Sequence, residues 1–336
     1  MYGPASALGT EAYVDWLYPP VPGRPAPLWL MLENDTVEAT QGAIRVDLKI
    51  GDAHRPALWL MDLMVNPTSQ KRGQGTAVSE AAFAETRVAM GFEVSDIALV
   101  ASKKLGWLDH GTVPLHFLPV DLEALGQARW RLPWPKLMTA PWRAWLDFLH
   151  RRARARLEVQ RLVVEPWTAF DARVDDLWAK ASPHYPVVGR RDHASLSWRF
   201  DATSVPTRYE RYGVLHEGKV VGYFVTRMGE RHGLSAGYIV DFFCEPHLRE
   251  AVVTLAVDRL SGAGVRAIYC LHQSPDSLKV FARLGFSRRD SRWPVIVRSE
   301  GLPEGEARLF NERDNWFLTS ADSDVDRPRE GTVYAQ

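Results

Sequence analysis

The chain has 336 residues, of which 46% are hydrophobic and 24% charged, with 41 basic side chains against 41 acidic ones. That length allows two ordinary domains, and a formal net charge of zero offers a polyanion no global attraction, so nucleic acid is not an expected partner. No apolar run reaches the roughly 18 residues that span a bilayer, no basic-then-apolar leader opens the chain, and Cys244 and Cys270 lie in apolar runs as buried free thiols would, so a cytoplasmic setting is expected.

Residues 27–50, PLWLMLENDTVEATQGAIRVDLKI, predict two strands around a turn at Asn34-Asp35. Ala57 to Val65, ALWLMDLMV, predicts a central strand ended by Asn66-Pro67, because proline cannot continue an interior ladder. In residues 76–90, Val78, Ala81, Ala82, Phe83 and Val88 recur near helical spacing, which predicts a helix stopped by Gly91. DIALVASKKLGW predicts a second helix ended by Gly106, and TVPLHFLPV a closing strand.

From about Gly126 to Gln160 the composition changes. Trp130, Trp134, Trp142 and Trp145 accompany Pro133, Pro135 and Pro141, and an arginine-rich helix follows. Residues 126–161 hold nine Lys/Arg against two Asp/Glu, an excess of seven. The helix from Trp142 to Arg161 is read either as a contact for an anionic surface or as a solvated interdomain helix.

From Arg161 the order starts again. RLVVE reads as a strand, TAFDARVDDLWAKA and RDHASLSWRF as helices, and RYGVLHEGKVVGYFVTRM as a hairpin turning at Glu217-Gly218. GYIVDFFCEP then reads as a strand, residues 247–264 as a helix, RAIYCLH as a strand, and PDSLKVFARLGF as a helix ended by Gly285. Asp62 precedes Pro67 by five residues, as Asp241 precedes Pro246, and Asp62 to Gly106 and Asp241 to Gly285 each span 44. A Trp-x-aromatic triplet occurs upstream in both, at Trp16 and Trp198. A shared offset of 179 indicates a duplicated unit longer than 100 residues. The units are read as 1–125, a linker and helix over 126–160, a second unit over 161–320, and an acidic tail over 321–336.

Gln70-Lys71-Arg72-Gly73-Gln74-Gly75 opens the first predicted helix of the first unit. Gly75 is followed by Thr76-Ala77, without the lysine of a nucleoside triphosphatase loop, and Val78 is too large for the third glycine of a dinucleotide fingerprint. What remains is an anion nest at a helix N-terminus, with glycines that let the backbone approach phosphate.

These residues resemble the GNAT superfamily of acyl-CoA-dependent N-acyltransferases. Its motif Q/R-x-x-G-x-G/A is matched by Gln70, Gly73 and Gly75, its fourth strand by DLMVNP, and the end of its last helix by KKLGW. The resemblance covers about residues 15 to 120 and, through the duplication, about 161 to 320. It implies a mixed α/β fold of two tandem GNAT-like domains, each a mostly antiparallel mixed sheet flanked by helices. The order is also similar to bacterial tandem GNAT proteins linked to surface polysaccharide work. By this resemblance the pyrophosphate of acetyl-CoA or another acyl-CoA lies on the amides of Lys71 to Thr76, and pantetheine lies along Leu63, Met64 and Val65. One N–H of that strand end would polarise the thioester carbonyl.

The second unit departs at the loop, where Arg249, Val252 and Thr254 stand for Gln70, Gly73 and Gly75. It is therefore not expected to bind CoA in the usual way; closing over the cleft of the first unit or holding the acceptor is the role expected of it instead. The first unit begins late, with fifteen residues before Trp16, so its usual first strand is missing, and another segment or another chain, as in a homodimer, would fill that edge. Ser102 stands where many GNAT enzymes place the tyrosine that protonates the leaving thiolate. Asp62 is the candidate to take the proton of an amine acceptor, with a structural role as the other reading; His54, His110 and His116 are lesser candidates.

Asp322, Asp324 and Asp326 imitate the start of a calcium loop, but Arg327 replaces the required glycine, so a solvated acidic tail is expected. No zinc-type or serine-hydrolase motif occurs, and no metal is expected. The leading expectation is transfer of an acyl group to a small-molecule amine, such as an amino sugar. A silent acyl-CoA-binding scaffold and an aminoacyl transfer protein are the alternatives.

Overall fold

The computed structural model describes residues 11–18, 25–70, 72–130, 136–201, 209–274, 276–291 and 293–326. Up to the linker the elements are α1 (Glu11–Leu17), β1 (Leu28–Glu33), β2 (Thr36–Ile50), β3 (Ala53–Val65), α2 (Gln74–Thr86), β4 (Val88–Phe92), α3 (Asp96–Lys104), β5 (Leu108–Thr112) and β6 (Leu115–Pro119). α4 (Leu122–Trp130) and α5 (Lys136–Gln160) follow. Then come β7 (Leu162–Trp167), α6 (Arg173–Ala181), β8 (Val187–Gly189), α7 (His193–Phe200), β9 (Glu210–His216), β10 (Lys219–Arg231), β11 (Leu234–Cys244) and α8 (Arg249–Gly262). The last are β12 (Ala267–Gln273), α9 (Ser277–Arg283), β13 (Ser287–Arg289), β14 (Pro294–Ser299), α10 (Glu304–Asn311) and β15 (Trp316–Thr319).

The hairpins are set by backbone that turns left-handed at their tips. Asn34 and Asp35 have φ of 49° and 60°, and Glu217 and Gly218 have 50° and 77°, the conformation that matches strand twist in a two-residue loop. The strands join one 15-stranded mixed sheet, with helices on its faces. β3–β4, β11–β12 and β8–β15 are parallel, and the other described pairings are antiparallel. Alternation along the strands separates the faces of the second half. Val252 of α8 packs against Gly222, whereas Trp178 of α6 stacks on Phe243.

The halves are laced together by exchanged strands. β14, from the end of the chain, lies between β4 and β5, with Ile296 opposite Gly91 and Val297 opposite Leu108. β6 lies between β12 and β13, with Ile268 opposite Leu118 and Ser287 opposite Phe117. The closing strand expected for the first half thus closes the second half's sheet. α1 and α7 meet where the halves face each other. Trp16 and Trp198 stack at 5.3 Å, and each indole N–H donates to the other residue's carbonyl, at 2.8 and 3.2 Å.

Two expectations are corrected. The helix predicted over residues 76–90 stops at Thr86, where Arg87 turns left-handed (φ 56°) and donates its N–H to the Phe83 carbonyl at 2.8 Å. The residues after it form β4, buried along its whole length. A strand covered on both faces lacks the two-residue alternation that marks strands in a sequence. The Asp322–Asp326 run is not solvated. Asp322 pairs with Arg191 at 2.6 Å and Asp326 with Arg227 at 2.7 Å; Asp324 and Asp326 are buried, and Asp322 is half-buried with its side chain 6% exposed. Residues 327–336 lie outside the described residues, as does Trp134.

In α5, Arg154 grips Asp258 with two hydrogen bonds, Arg156 pairs with Glu250, and Arg143 pairs with Glu123. Those cations are neutralised within the chain, while Trp145 and Phe148 on the same helix are exposed. Among the described residues no helix is long and apolar enough to cross a membrane.

Candidate functional site

β3 and β4 run side by side for three rungs, Leu58 opposite Ala89, Trp59 opposite Met90, and Leu60 opposite Gly91. β3 continues to Val65 against β2, with Met64 opposite Thr40 and Val65 opposite Ala39. Beyond Leu60, no described strand pairs with the β4-facing edge of β3. That divergence is a ready slot for an extended ligand that hydrogen-bonds like a strand.

A β-bulge shapes the end of the slot. Between the pairs Thr40–Met64 and Gly42–Met61, one residue of β2 (Gln41) faces two of β3 (Asp62 and Leu63), and Asp62 has φ of 52°. Gln41 supports the bulge from within. Its amide nitrogen donates to the carbonyls of Met61 (2.7 Å) and Gly42 (2.9 Å), while its oxygen accepts from Ser79 of α2 at 2.8 Å. The bulge is thereby tied to the helix that follows the glycine loop.

The glycine loop lies at the open end of the slot. Pro67–Ser69 form one 3-10 turn, anchored by Asn66 through its side chain to Thr68 N (3.2 Å) and by a Ser69–Glu38 hydrogen bond. Gly73 caps α2 with φ of 86°, a conformation that favours glycine. Ala77 is the residue that donates back to the Gly73 carbonyl (2.9 Å), so the amides of Gln74, Gly75 and Thr76 precede the first helical bond and point outward at a positive helix end. A Cβ on Gly75 would stand 3.0 Å from Val65 Cγ2, so glycine is what lets the helix start come against the strand end. Gln74 Oε1 is buried without a partner, an acceptor that a bound N–H would satisfy. Gln70, Arg72, Gly73 and Thr76 are exposed, while Lys71 lies outside the described residues. Leu63 is exposed and Met64 and Val65 are half-buried. This cradle of amides and small residues fits a phosphate-bearing, strand-like cofactor such as CoA.

Asp62 is half-buried at the bulge, and Tyr18 donates its hydroxyl to Asp62 Oδ2 at 2.7 Å. Tyr18 is a site neighbour that the sequence reading missed. Its only trace was the Trp16-Leu17-Tyr18 triplet. Gly42 makes the contact feasible, because a Cβ there would run into the Tyr18 hydroxyl. Ser102 sits in the last turn of α3, half-buried, and no hydrogen bond joins it to Asp62 among the described residues.

Of the three histidines, His110 and His116 are buried and His54 is exposed. His116 stacks on Phe281 at 4.0 Å, and burial lowers its pKa to about 4. His110 is lowered by burial too, and its Nε2 lies 3.1 Å from the Asn311 carbonyl. His54 lies 3.1 Å from Asp47.

The equivalent place in the second half is filled. α8 begins at Arg249, which corresponds to residue 70, whereas α2 begins at Gln74, so one extra helical turn occupies the place of the loop. Arg249 lies over the rings of Tyr185 and Phe317, Val252 is fully buried, and Thr254 bonds the Glu250 carbonyl at 2.7 Å. β11 and β12 also part, after Ile239 opposite Cys270, but the chain's own residues enter the gap. β15 pairs with β12, and Ser320 donates to the Val240 carbonyl at 2.9 Å. Asp241, the counterpart of Asp62, is buried and accepts from Tyr223 (2.6 Å) and Thr319 (2.8 Å) beside Arg191 (3.3 Å).

The fold is that of the GCN5-related N-acyltransferases. Yeast (Saccharomyces cerevisiae) N-myristoyltransferase with bound myristoyl-CoA superposes with a TM-score of 0.55 at 13% identity, over 88% of this chain and 76% of that one. A GCN5-related N-acetyltransferase from Anabaena variabilis gives 0.55 at 13% identity, over 80% of this chain and 62% of that one. One from Kribbella flavida gives 0.51 at 13% identity, over 79% and 58%. This chain thus spans less than two thirds of those two bacterial proteins. No family model matches the sequence, and no curated protein does.

Proposed function

We propose that the chain is an acyl-CoA-dependent N-acyltransferase, with its donor site in the first half. The observation that carries this reading is the slot between β3 and β4, which opens toward a helix N-terminus freed by Gly73 and Gly75. CoA would lay its pyrophosphate on the amides of residues 71–76 and its pantetheine along Leu63, Met64 and Val65. An amine near Asp62 attacks the thioester carbon, so that the N–C bond forms and the C–S bond breaks. The amine's proton passes to Asp62, and the Tyr18 hydrogen bond holds that carboxylate in place. With serine at position 102, the thiolate leaves without a tyrosine acid and takes its proton from solvent.

The acyl group is acetyl or another acyl, and the acceptor a small amine such as an amino sugar. The likeness to polysaccharide-linked tandem proteins rests on element order alone. A cytoplasmic setting is supported by two buried thiols, Cys244, which burial pushes up to about 12, and Cys270, also raised by burial. A homodimer edge at β1 and an anionic contact through α5 remain part of the reading. The competing reading, a silent acyl-CoA binder, is favoured by Ser102.

Calorimetry on the full chain is expected to show one CoA per chain. Gly73→Glu, which puts a carboxylate into the anion nest, is expected to weaken CoA by about tenfold or more. Unchanged affinity in that variant would remove the site. Thiol release over an amine panel then separates a catalyst from a silent binder.

A further inference from the structure

The outer strand of the first half presents an apolar strip to solvent. Leu28, Leu30 and Leu32 are 38%, 50% and 60% exposed, while Trp29 between the first two packs with Phe83 of α2 and its neighbours on the opposite face. Residues two apart in a strand share a face, and so do residues directly opposite on neighbouring strands. Leu28 is opposite Gly42 and Leu30 opposite Thr40, and the Tyr18 hydroxyl lies where a Cβ of Gly42 would stand. The strip therefore begins beside the Tyr18–Asp62 pair and continues along β1 to Leu32 and its exposed partner Val37. From Leu28 to Leu32 the strand rises about 13 Å. No charged side chain lies in β1 before Glu33.

The second half has the same place covered. β9 stands to β10 as β1 does to β2, and β7 lies beyond it, with Trp167 opposite Arg211. Gly213 is opposite Tyr223, the residue that donates to Asp241, and a Cβ on Gly213 would run into the buried Trp167 ring. Among the described residues no strand takes the place of β7 beside β1, which pairs with β2 alone. The half whose acid faces an open slot is thus also the half whose neighbouring surface is open and apolar.

We infer that this strip is the acceptor subsite, and that the acceptor is a primary amine with an apolar tail, its nitrogen at Asp62 and its tail along Leu28, Leu30 and Leu32. The inference rests on Asp62 as the proton acceptor of the proposed reaction, and it narrows the class of small amines. An apolar tail gains by leaving water on such a surface. The hydroxyls of an amino sugar would give up water there and find no side-chain donor or acceptor among the leucines. Acceptor choice then lies in β1, apart from the residues that handle the proton.

The test measures thiol release from acetyl-CoA by the full chain with n-octylamine, ethylamine and glucosamine as acceptors, while calorimetry reads octylamine binding separately. Each methylene taken out of water is worth a factor of a few, so with one side of the tail covered octylamine is expected to exceed ethylamine in kcat/KM by on the order of a hundredfold. Glucosamine is expected to fall below octylamine. Leu30→Thr combined with Leu32→Thr puts polar side chains of good strand propensity at two exposed positions, and is expected to lower the octylamine-to-ethylamine ratio by about tenfold. Because a ratio is read, a general loss of folded protein does not imitate the effect. A wild-type ratio near one, glucosamine used faster than octylamine, or a ratio unchanged in the double variant would each overturn the inference. So would a wild-type dimer that the double variant turns into a monomer in sedimentation, since the strip would then belong to a second copy. A chain that binds octylamine only with its native leucines yet releases no thiol upholds the subsite and overturns the catalytic reading, so the two failures are told apart.

Discussion

The two halves carry one scaffold with opposite outcomes at the same place. In the first, α2 starts at Gln74 and leaves the slot beside β3 open. In the second, α8 starts a turn earlier, and residues 316–322 fill the corresponding gap. Duplicated folds can therefore diverge without changing strand order. One added helical turn removes the amides that would face phosphate, and a short segment of the chain itself replaces an extended ligand. Once that segment is placed in the gap, its carboxylate Asp322 needs a partner, which Arg191 supplies, and Arg227 does the same for Asp326 just beyond it.

The strongest way to break this comparison is to remove the matched acids. Asp241→Ala takes an acceptor from Arg191, Tyr223 and Thr319 in a buried site, and is expected to cost about 3–5 kcal/mol in urea unfolding. Asp62→Ala removes a half-buried acceptor of Tyr18 and is expected to cost only about 1 kcal/mol. Its acyl-transfer rate is expected to fall by about a hundredfold or more. Equal stability costs would show that Asp62 is as structural as Asp241, and that the first half has no proton acceptor there.

A somewhat smaller effect tests the strand exchange. β6 carries His116 into the second half, where burial lowers its pKa from 6.5 to about 4. The unfolded chain binds the proton first, so the stability is fully present above pH 6.5 and is lost as pH falls toward 4. That depression corresponds to about 3 kcal/mol at most. Urea midpoints measured across this range should fall for the native chain, and His116→Leu should flatten the fall. An unchanged slope in that variant would mean that the exchanged strand does not keep its histidine dry. The same exchange argues for working with the full chain, since each half lacks a strand without the other.

Local features were legible where one or two residues decide the geometry. The hairpin at Asn34-Asp35, the start of α2 after Gly73 and the helix end before Gly106 all depend on near-neighbour chemistry. The duplication was legible because its landmarks share one spacing. β4 was not, since apolar residues buried on both faces suit a helix as well as a strand. Neither was the exchange of β6 and β14, because which sheet edge a strand joins is settled by contacts more than 100 residues away in sequence. Tyr18 reaches Asp62 across 44 residues, and Arg199 reaches the carbonyls of Ala321 and Ser323 across 122 and 124. A run of three aspartates reads as solvated until two buried arginines are placed against it.

The smallest effect probes the likeness of the halves at its centre. Trp16 and Trp198 lie at similar places in their units, stack at an interplanar angle of 12°, and exchange indole N–H bonds to each other's carbonyls. Such reciprocity is what an approximate two-fold axis between the halves produces. Trp16→Phe and Trp198→Phe each remove one N–H donor and retain an aromatic ring, so each is expected to cost about 1 kcal/mol. Because the rings touch, the double variant should differ from the sum by about 0.5 kcal/mol or more. Matching single costs with measurable coupling indicate that both units contribute equally to their junction. A cost confined to Trp16 would indicate instead that α1 is held chiefly by Arg199, which lies over the Trp16 ring at 5.6 Å, and that the symmetry is one of shape only.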